Sequence, residues 1–124
     1  YEHCRSAIED IERVITENNY KVSFPVEVRS TAGDDNVLST AHARQSAYIA
    51  VHMFKGCDYG PYFASVAEIM AKYEGRPHWG KMHFLKNEQL SRLYPRWAEF
   101  LVVRDQLDPH RTFHNEYLGQ IFGE

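Results

Sequence analysis

The chain of 124 residues has few of the features that mark the easily recognised protein classes. It has only two cysteines, Cys4 and Cys57, without a Cys-x-x-Cys spacing, so neither a disulfide framework nor a zinc knuckle is indicated. Its net charge is −3, which leaves no basic excess to neutralise nucleic-acid phosphates. No apolar run approaches the roughly 20 residues that a membrane span needs. These absences argue against a nucleic-acid-binding or membrane-spanning protein.

The sequence begins at Tyr1 rather than at a methionine and enters a helix-like pattern directly, with no signal-peptide pattern among its first residues. We expect it to be a C-terminal piece of a longer protein. What is present is an ordinary globular composition, 44% hydrophobic and 25% charged. A chain of this length is predicted to form one domain with a single modest core.

The first half is predicted to contain a helix and two strands. Apolar residues recur at helical spacing near the start, and Asn18 and Asn19 supply a stop signal. Alternating residues predict strands over Phe24–Ser30 and Ala47–Phe54, with a polar turn between them. Pro25 has no N–H, so the first strand lies at a sheet edge or begins near it. The second strand has two distinct faces, one formed by Ala47, Ile49, Val51 and Met53, the other by Tyr48, Ala50, His52 and Phe54.

The second half is predicted to be mostly helical. One amphipathic helix ends at Gly75, interpreted as its C′ glycine, and Asn87 caps a short helical turn. Pro95 occupies the first position of a longer helix, which stops at Asp108 because a proline follows. A last short helix begins at Asn115. The predicted fold class is α+β, with an antiparallel sheet and helices packed on one of its faces.

Three polar residues are candidates for chemistry. Glu27 and Arg29 are two apart in a strand, so they point to one face about 6.6–6.8 Å apart along the backbone. That spacing fits a solvent-exposed ion pair and also an acid–guanidinium pair on the floor of a polar pocket. Lys81, in the segment GRPHWGK, lies among apolar residues just past a helix end, where it serves neither a helix face nor a strand face.

The histidines show no recognised metal-site spacing. His78 and His83 are five residues apart, whereas two ligands on one helical face are four apart. His110 and His114 have the four-residue spacing, but the proline and loop residues around them argue against a helix. No carboxylate or cysteine joins either pair at a zinc spacing. We expect no metal site. A packed turn after a helix would explain His78 and Trp79 without any functional role.

Three segments, FPVEVRST, EGRPHWGK and LYPRWAEFLVVRDQLDPHRTFHNEYLGQIFG, carry a family resemblance. In this order they resemble the C-terminal part of the aldonolactone oxidases, flavoproteins of the vanillyl-alcohol-oxidase type. This group includes L-gulono-1,4-lactone oxidase, D-arabinono-1,4-lactone oxidase and the alditol oxidases. The resemblance covers nearly the whole chain, from about Glu2 to Phe122, and the combination of motifs is specific.

The resemblance implies that the chain is the substrate domain of a larger two-domain flavoenzyme, whose N-terminal domain, absent here, binds FAD. It implies that Glu27, Arg29 and Lys81 are catalytic, and that His52 and His78 contact the substrate, with His78 also shaping the loop that aims Lys81. The implied reaction is oxidation of a CH–OH group of a sugar lactone or alditol by hydride transfer to the flavin. If the three catalytic residues form one site, the ends of their side chains approach within about 8 Å.

Further expectations follow from the same resemblance. The chain alone should lack activity, and its apolar surface should be covered by its own FAD domain or by self-association. We expect a cytoplasmic protein, with membrane association in some relatives. The alternative is a non-catalytic α+β binding or interaction module, whose aromatic content of 14% marks a partner surface. The sequence encoded before Tyr1 distinguishes the two: a flavin-binding domain supports the enzyme, and an unrelated domain supports the module.

Overall fold

The computed structural model describes all 124 residues and contains five helices and one two-stranded sheet, which confirms the α+β class. No helix combines the length and the apolar character needed to span a bilayer. In chain order the elements are α1 (Cys4–Glu17), β1 (Glu27–Thr31), β2 (Ser46–Ala50), α2 (Gly60–Lys72), α3 (Asn87–Leu93), α4 (Trp97–Leu107) and α5 (Glu116–Phe122).

The chain forms two compact units, although its length predicts a single core. The first unit consists of Tyr1–Gly33 and Arg44–Gly75, and the second of Asp34–Ala43 and Arg76–Glu124. Each unit has its own cluster of buried apolar residues. The second cluster is small in number, but two of its four buried members are the large aromatics Tyr94 and Trp97, which bury much apolar area per residue.

In the first unit, α1, α2 and β2 contribute to one core. Its buried members are Ile11 of α1 and Tyr62, Val66 and Ile69 of α2. Ile49, Val51 and Met53, which alternate along the second strand and its extension, pack against the same cluster. This confirms the predicted packing of helices on one face of the sheet, and it shows that the side of the strand with Ile49, Val51 and Met53 is the one that faces the core.

The two strands pair antiparallel as predicted, but both differ in extent from the prediction. β1 begins at Glu27 rather than Phe24, because Pro25 has no N–H to donate to a ladder. β2 ends at Ala50 rather than Phe54, because Ala50 pairs with Glu27 and no strand residue precedes Glu27 to continue the ladder.

Helix α1 ends at the predicted stop signal. Asn19 adopts the left-handed conformation with φ of 52°, and the next N–H, that of Tyr20, donates to the Ile15 carbonyl at 3.0 Å. The Asn18 side chain also donates to the Val14 carbonyl at 2.9 Å. Together these bonds satisfy carbonyls that the last helical turn leaves without partners.

Helix α2 ends in the same kind of motif, and here the prediction for Gly75 is wrong by one position. Glu74, not Gly75, is the left-handed residue, with φ of 51°. Gly75 follows it and donates its N–H to the Met70 carbonyl at 2.8 Å. The glycine is needed for space, because a Cβ there would lie 3.0 Å from both the Cβ and the carbonyl oxygen of Met70.

In the second unit, two helix starts differ from the prediction and two boundaries are confirmed to within one residue. Asn87 is the first residue of α3 rather than its cap, and its side chain donates to the Ile121 carbonyl at 3.1 Å. Pro95 precedes the cap of α4, which begins at Trp97. Helix α4 ends before Asp108, as expected, and α5 begins within one residue of the predicted Asn115, which caps it by accepting the Leu118 N–H at 2.9 Å.

The end of α2 predicts that substitutions at two adjacent residues change the free energy of unfolding in opposite directions. Gly75→Ala should lower the free energy of unfolding by about 1–3 kcal/mol, because the new methyl group is forced against Met70. Glu74→Gly should raise it by up to about 1 kcal/mol, because the left-handed conformation is costly for a residue with a Cβ. Urea unfolding of both variants checks this, and a Gly75→Ala variant as stable as the parent would contradict it.

Candidate functional site

Glu27 and Arg29 form an ion pair on one face of β1. Arg29 Nε donates to Glu27 Oε1 at 2.7 Å, and Arg29 Nη2 donates to the same oxygen. The side chains of Arg29 and Glu27 are 74% and 44% exposed. An exposed pair of this kind contributes at most about 1 kcal/mol to stability. Because both guanidinium bonds use Oε1, the second carboxylate oxygen of Glu27 is left to accept a hydrogen bond from another molecule.

The strand register adds two residues that the sequence analysis did not assign to the site. Tyr48 lies directly opposite Arg29, and Ala50 lies opposite Glu27. Their neighbours in the strand pack on the core, so these two side chains point to the other side, together with His52. The ring of His52 lies 5.5 Å from that of Phe24. We call this the polar sheet face, formed by Glu27, Arg29, Tyr48, Ala50 and His52.

Trp79, in the second unit, anchors the segment that carries Lys81. Its indole N–H donates to the Leu38 carbonyl at 2.9 Å. Its ring lies 5.0 Å from that of Tyr94 and stacks on that of Trp97 at 6.4 Å. The packed-turn explanation therefore holds for Trp79, which belongs to the aromatic core of this unit.

Arg76 is a second anchor of the same segment, and the sequence analysis did not single it out. Its Nε donates to the Leu93 carbonyl at 2.8 Å, and its Nη1 donates to the His42 carbonyl at 2.9 Å. The guanidinium also lies over the ring of Tyr94, 5.2 Å from the ring centre. An arginine next to a proline immediately after a helix was the only sequence signal of this role.

His78 and Lys81 are exposed residues of a turn that follows Arg76 and contains Trp79. The N–H of Gly80 donates to His78 Nδ1 at 3.0 Å, and the N–H of Lys81 donates to the His78 carbonyl at 3.0 Å. Because Nδ1 accepts, the neutral His78 ring carries its proton on Nε2, where it is available as a donor. His78 thus holds the turn that presents Lys81. The approach of Lys81 to Glu27 and Arg29 within about 8 Å stays a prediction.

Two further histidines of the second unit, His83 and His114, have structural contacts. His83 Nε2 lies 2.9 Å from the hydroxyl of Tyr117, and burial lowers the pKa of His83 below its ordinary value of 6.5. His110 and His114 lie outside helices, as expected, and His114 lies 3.1 Å from a carboxylate oxygen of Glu124. No cluster of three or more His, Cys, Asp or Glu side chains is placed to bind a metal ion.

Comparison with known proteins links this chain to sugar-oxidising enzymes. The family model described as D-arabinono-1,4-lactone oxidase matches residues 1–121. An L-gulono-1,4-lactone dehydrogenase of Mycobacterium tuberculosis is 43% identical over 122 residues, which are 98% of this chain and 28% of the relative. An L-gulonolactone oxidase of Scyliorhinus torazame is 37% identical over 95% of this chain and 28% of its own length.

An alditol oxidase of a Streptomyces species is more distant, at 29% identity over 96% of this chain and 29% of the relative. The chain therefore spans little more than a quarter of the length of these relatives, yet almost all of the chain is matched in each.

The buried position of His83 predicts a pH dependence of stability. Its pKa is lower in the folded chain than in the unfolded chain, so the unfolded chain binds more protons between the two values. The contribution of His83 to stability is therefore complete above pH 6.5 and is lost as the pH falls through the folded pKa. In His83→Gln, the free energy of unfolding should change less between pH 7.5 and 5 than in the parent.

Urea unfolding at a series of pH values measures this difference, with His110→Gln, in an exposed turn, as the matched control. The carboxyl groups whose pKa values are lowered do not affect this comparison between pH 7.5 and 5. The N–H groups of Phe113 and Thr112, for example, hold the pKa of Asp108 below its ordinary 3.8, so its contribution is lost only at more acidic pH. Equal slopes in the parent and His83→Gln would contradict the prediction.

Proposed function

The chain belongs to the D-arabinono-1,4-lactone oxidase family, and from this we propose that it is the substrate-binding part of an FAD-dependent oxidoreductase. The proposed reaction is the oxidation of a CH–OH group of a sugar 1,4-lactone or a related alditol. The observation that carries the proposal is the Glu27–Arg29 pair, presented on an exposed sheet face by a chain that the family model matches from residue 1 to 121. The relatives' names, which describe lactone and alditol oxidation, support this substrate class.

The residues of this chain fit the substrate side of a flavin site rather than the cofactor's phosphates. The Arg29 charge is already balanced by Glu27, and the polar sheet face contains no glycine-lined turn that could cradle a pyrophosphate. We therefore assign FAD binding to a further domain of the same polypeptide. When bound, the flavin supplies the hydride acceptor, and the protein supplies orientation and electrostatics.

Arg29 can stabilise the charge that develops on the substrate oxygen. A carbinol carbon that loses hydride becomes positively charged unless its hydroxyl proton departs, and N–H donors beside that oxygen favour the alkoxide. One such donor typically stabilises a transition state by about 3–4 kcal/mol. The guanidinium has five N–H groups and uses two of them on Glu27, so others are available to a substrate hydroxyl.

Glu27 and Lys81 complete the proposed set of catalytic residues. Glu27 holds Arg29 in place through Oε1 and can accept a hydroxyl hydrogen bond from the substrate through its second oxygen. Lys81 supplies a second cation from an exposed turn, and a lysine ammonium beside the hydroxyl can stabilise the alkoxide or exchange protons with it. His52 and His78 are assigned to substrate binding.

The cytoplasmic location expected from the sequence stays a prediction.

The role of Lys81 can be tested in the full-length, flavin-loaded protein. Lys81→Met should lower kcat by about 10²–10³-fold while flavin binding is nearly unchanged, because the charge acts mainly in the transition state. Lys86→Met, at another exposed lysine of the same segment, is the matched control and should retain kcat. Steady-state turnover of L-gulono-1,4-lactone and of a panel of alditols provides the measurement. An unchanged kcat in Lys81→Met would remove Lys81 from the mechanism.

The assignment of FAD binding to a further domain makes a second prediction. The 124-residue chain alone should bind no FAD with useful affinity, because we assign the binding of the cofactor's phosphates to the further domain. Titration with FAD followed by flavin fluorescence, with the full-length protein as the positive control, checks this. Stoichiometric flavin absorbance in the purified chain would contradict it and would move cofactor binding into this part of the protein.

A further inference from the structure

The polar sheet face has a gap at its centre. Ala50 lies opposite Glu27, and its side chain is a single methyl group. Along β2 and the extended segment that continues it, the larger side chains of Tyr48 and His52 point to the same side, one before and one after Ala50. The gap therefore lies directly beside the carboxylate that the proposed function assigns to the substrate.

The dimensions of the gap follow from strand geometry. Side chains two residues apart on one face are separated by about 6.6–6.8 Å, so Tyr48 and His52 lie about 13 Å apart with only Ala50 between them. Directly opposite residues of antiparallel strands have Cβ atoms about 4.5–5.5 Å apart. A small polyol lying over Ala50 would thus be within hydrogen-bonding reach of Glu27 and, one position along β1, of Arg29.

Strand formation does not explain an alanine at this position. Alanine is disfavoured in strands, where valine, isoleucine and threonine pack better on the pleated surface. Nor does burial require it, because Ala50 is only partly buried and faces away from the core formed by Ile11 and its neighbours. Space above the methyl group is what the alanine provides.

We propose that Ala50 determines substrate size in this enzyme, as the floor of a cleft whose two sides are Tyr48 and His52. The sugar lies over Ala50, its hydroxyls bind Glu27 and Arg29, and the flanking rings limit its length along β2. This inference rests on the proposed function and adds to it the residues that select among lactones and alditols. A side chain larger than alanine at position 50 would occupy the volume that the sugar needs.

The test compares five forms of the full-length, flavin-loaded protein: the parent, Ala50→Val, Ala50→Ser, Glu27→Gln and Ser30→Val. The substrates are L-gulono-1,4-lactone and unbranched alditols of three to six carbons. Ala50→Val should raise KM for the lactone and the six-carbon alditol by about tenfold or more, and should affect the three-carbon alditol least. Ala50→Ser, with one added atom, should fall between it and the parent.

Ser30→Val is the matched control, because it adds similar bulk to an exposed residue on the opposite face of the sheet. It should leave KM unchanged for every substrate. Flavin absorbance and the thermal unfolding midpoint show that each variant is folded. Should Ala50→Val fail to fold, the smaller Ala50→Ser change decides by the same shift in size preference.

The experiment distinguishes a failure of the proposed function from a failure of the proposed role of Ala50. If the parent oxidises none of these substrates, the proposed function is overturned, and this inference with it. If the parent is active and Glu27→Gln is impaired, but the folded Ala50 variants keep the parent's KM for every substrate, only the role of Ala50 is overturned. An equal rise in KM in Ser30→Val would also overturn it, because the effect would then not belong to the polar sheet face.

Discussion

The second unit depends on the hydrogen bonds of one guanidinium. Arg76 donates to the carbonyl of Leu93, the last residue of α3, which has no later N–H in its helix to bind it. It also donates to the carbonyl of His42 and lies over the ring of Tyr94. A loop, a helix end and the aromatic core are thereby held by one side chain. Without it, partly buried carbonyls would lose their partners, at about 1–3 kcal/mol each.

The position of the turn at His78–Lys81 follows from this arrangement. Arg76, before the turn, and Trp79, within it, hold this segment on the core of the second unit through the carbonyls of His42, Leu93 and Leu38. The exposed residues of the turn are joined by short-range bonds, between His78 and the two residues at its end. A rigid base with an exposed tip is an arrangement that can place one lysine accurately while leaving its side chain open to a ligand.

The parts of the fold that the sequence predicts correctly are those encoded by neighbouring residues. The stop at Asn18–Asn19, the end of α4 before Asp108 and, to within one residue, the start of α5 at Asn115 each depend on chemistry within a few positions. The strand faces follow from alternation alone. The error at Gly75 has a different origin, since the glycine is required by a contact with Met70 rather than by its own φ.

Predictions fail where distant residues meet. The register that places Tyr48 beside Arg29 depends on where the long connection between the strands ends, which no local pattern encodes. The second core arises because Trp79, Tyr94 and Trp97 come together from separate segments. For the candidate site, period two correctly predicts that Glu27 and Arg29 share a face. Their proposed roles come from the family resemblance, since spacing alone fits an ordinary surface ion pair equally well.

The interleaving of the two units in the sequence has a consequence for synthesis. The loop Asp34–Ala43 belongs to the second unit but is synthesised between the two segments of the first, Tyr1–Gly33 and Arg44–Gly75. Arg76 is the 33rd residue after Ala43. At roughly 5–20 residues per second, Arg76 is therefore synthesised about 2–7 s after the loop that it holds in the folded protein. The loop has bonds of its own for that interval: Asp34 accepts from the Ser39 hydroxyl at 2.6 Å, and the N–H of Ala43 donates to the Asp34 carbonyl at 2.8 Å. These bonds can therefore hold the nascent loop in its folded conformation before Arg76 is translated.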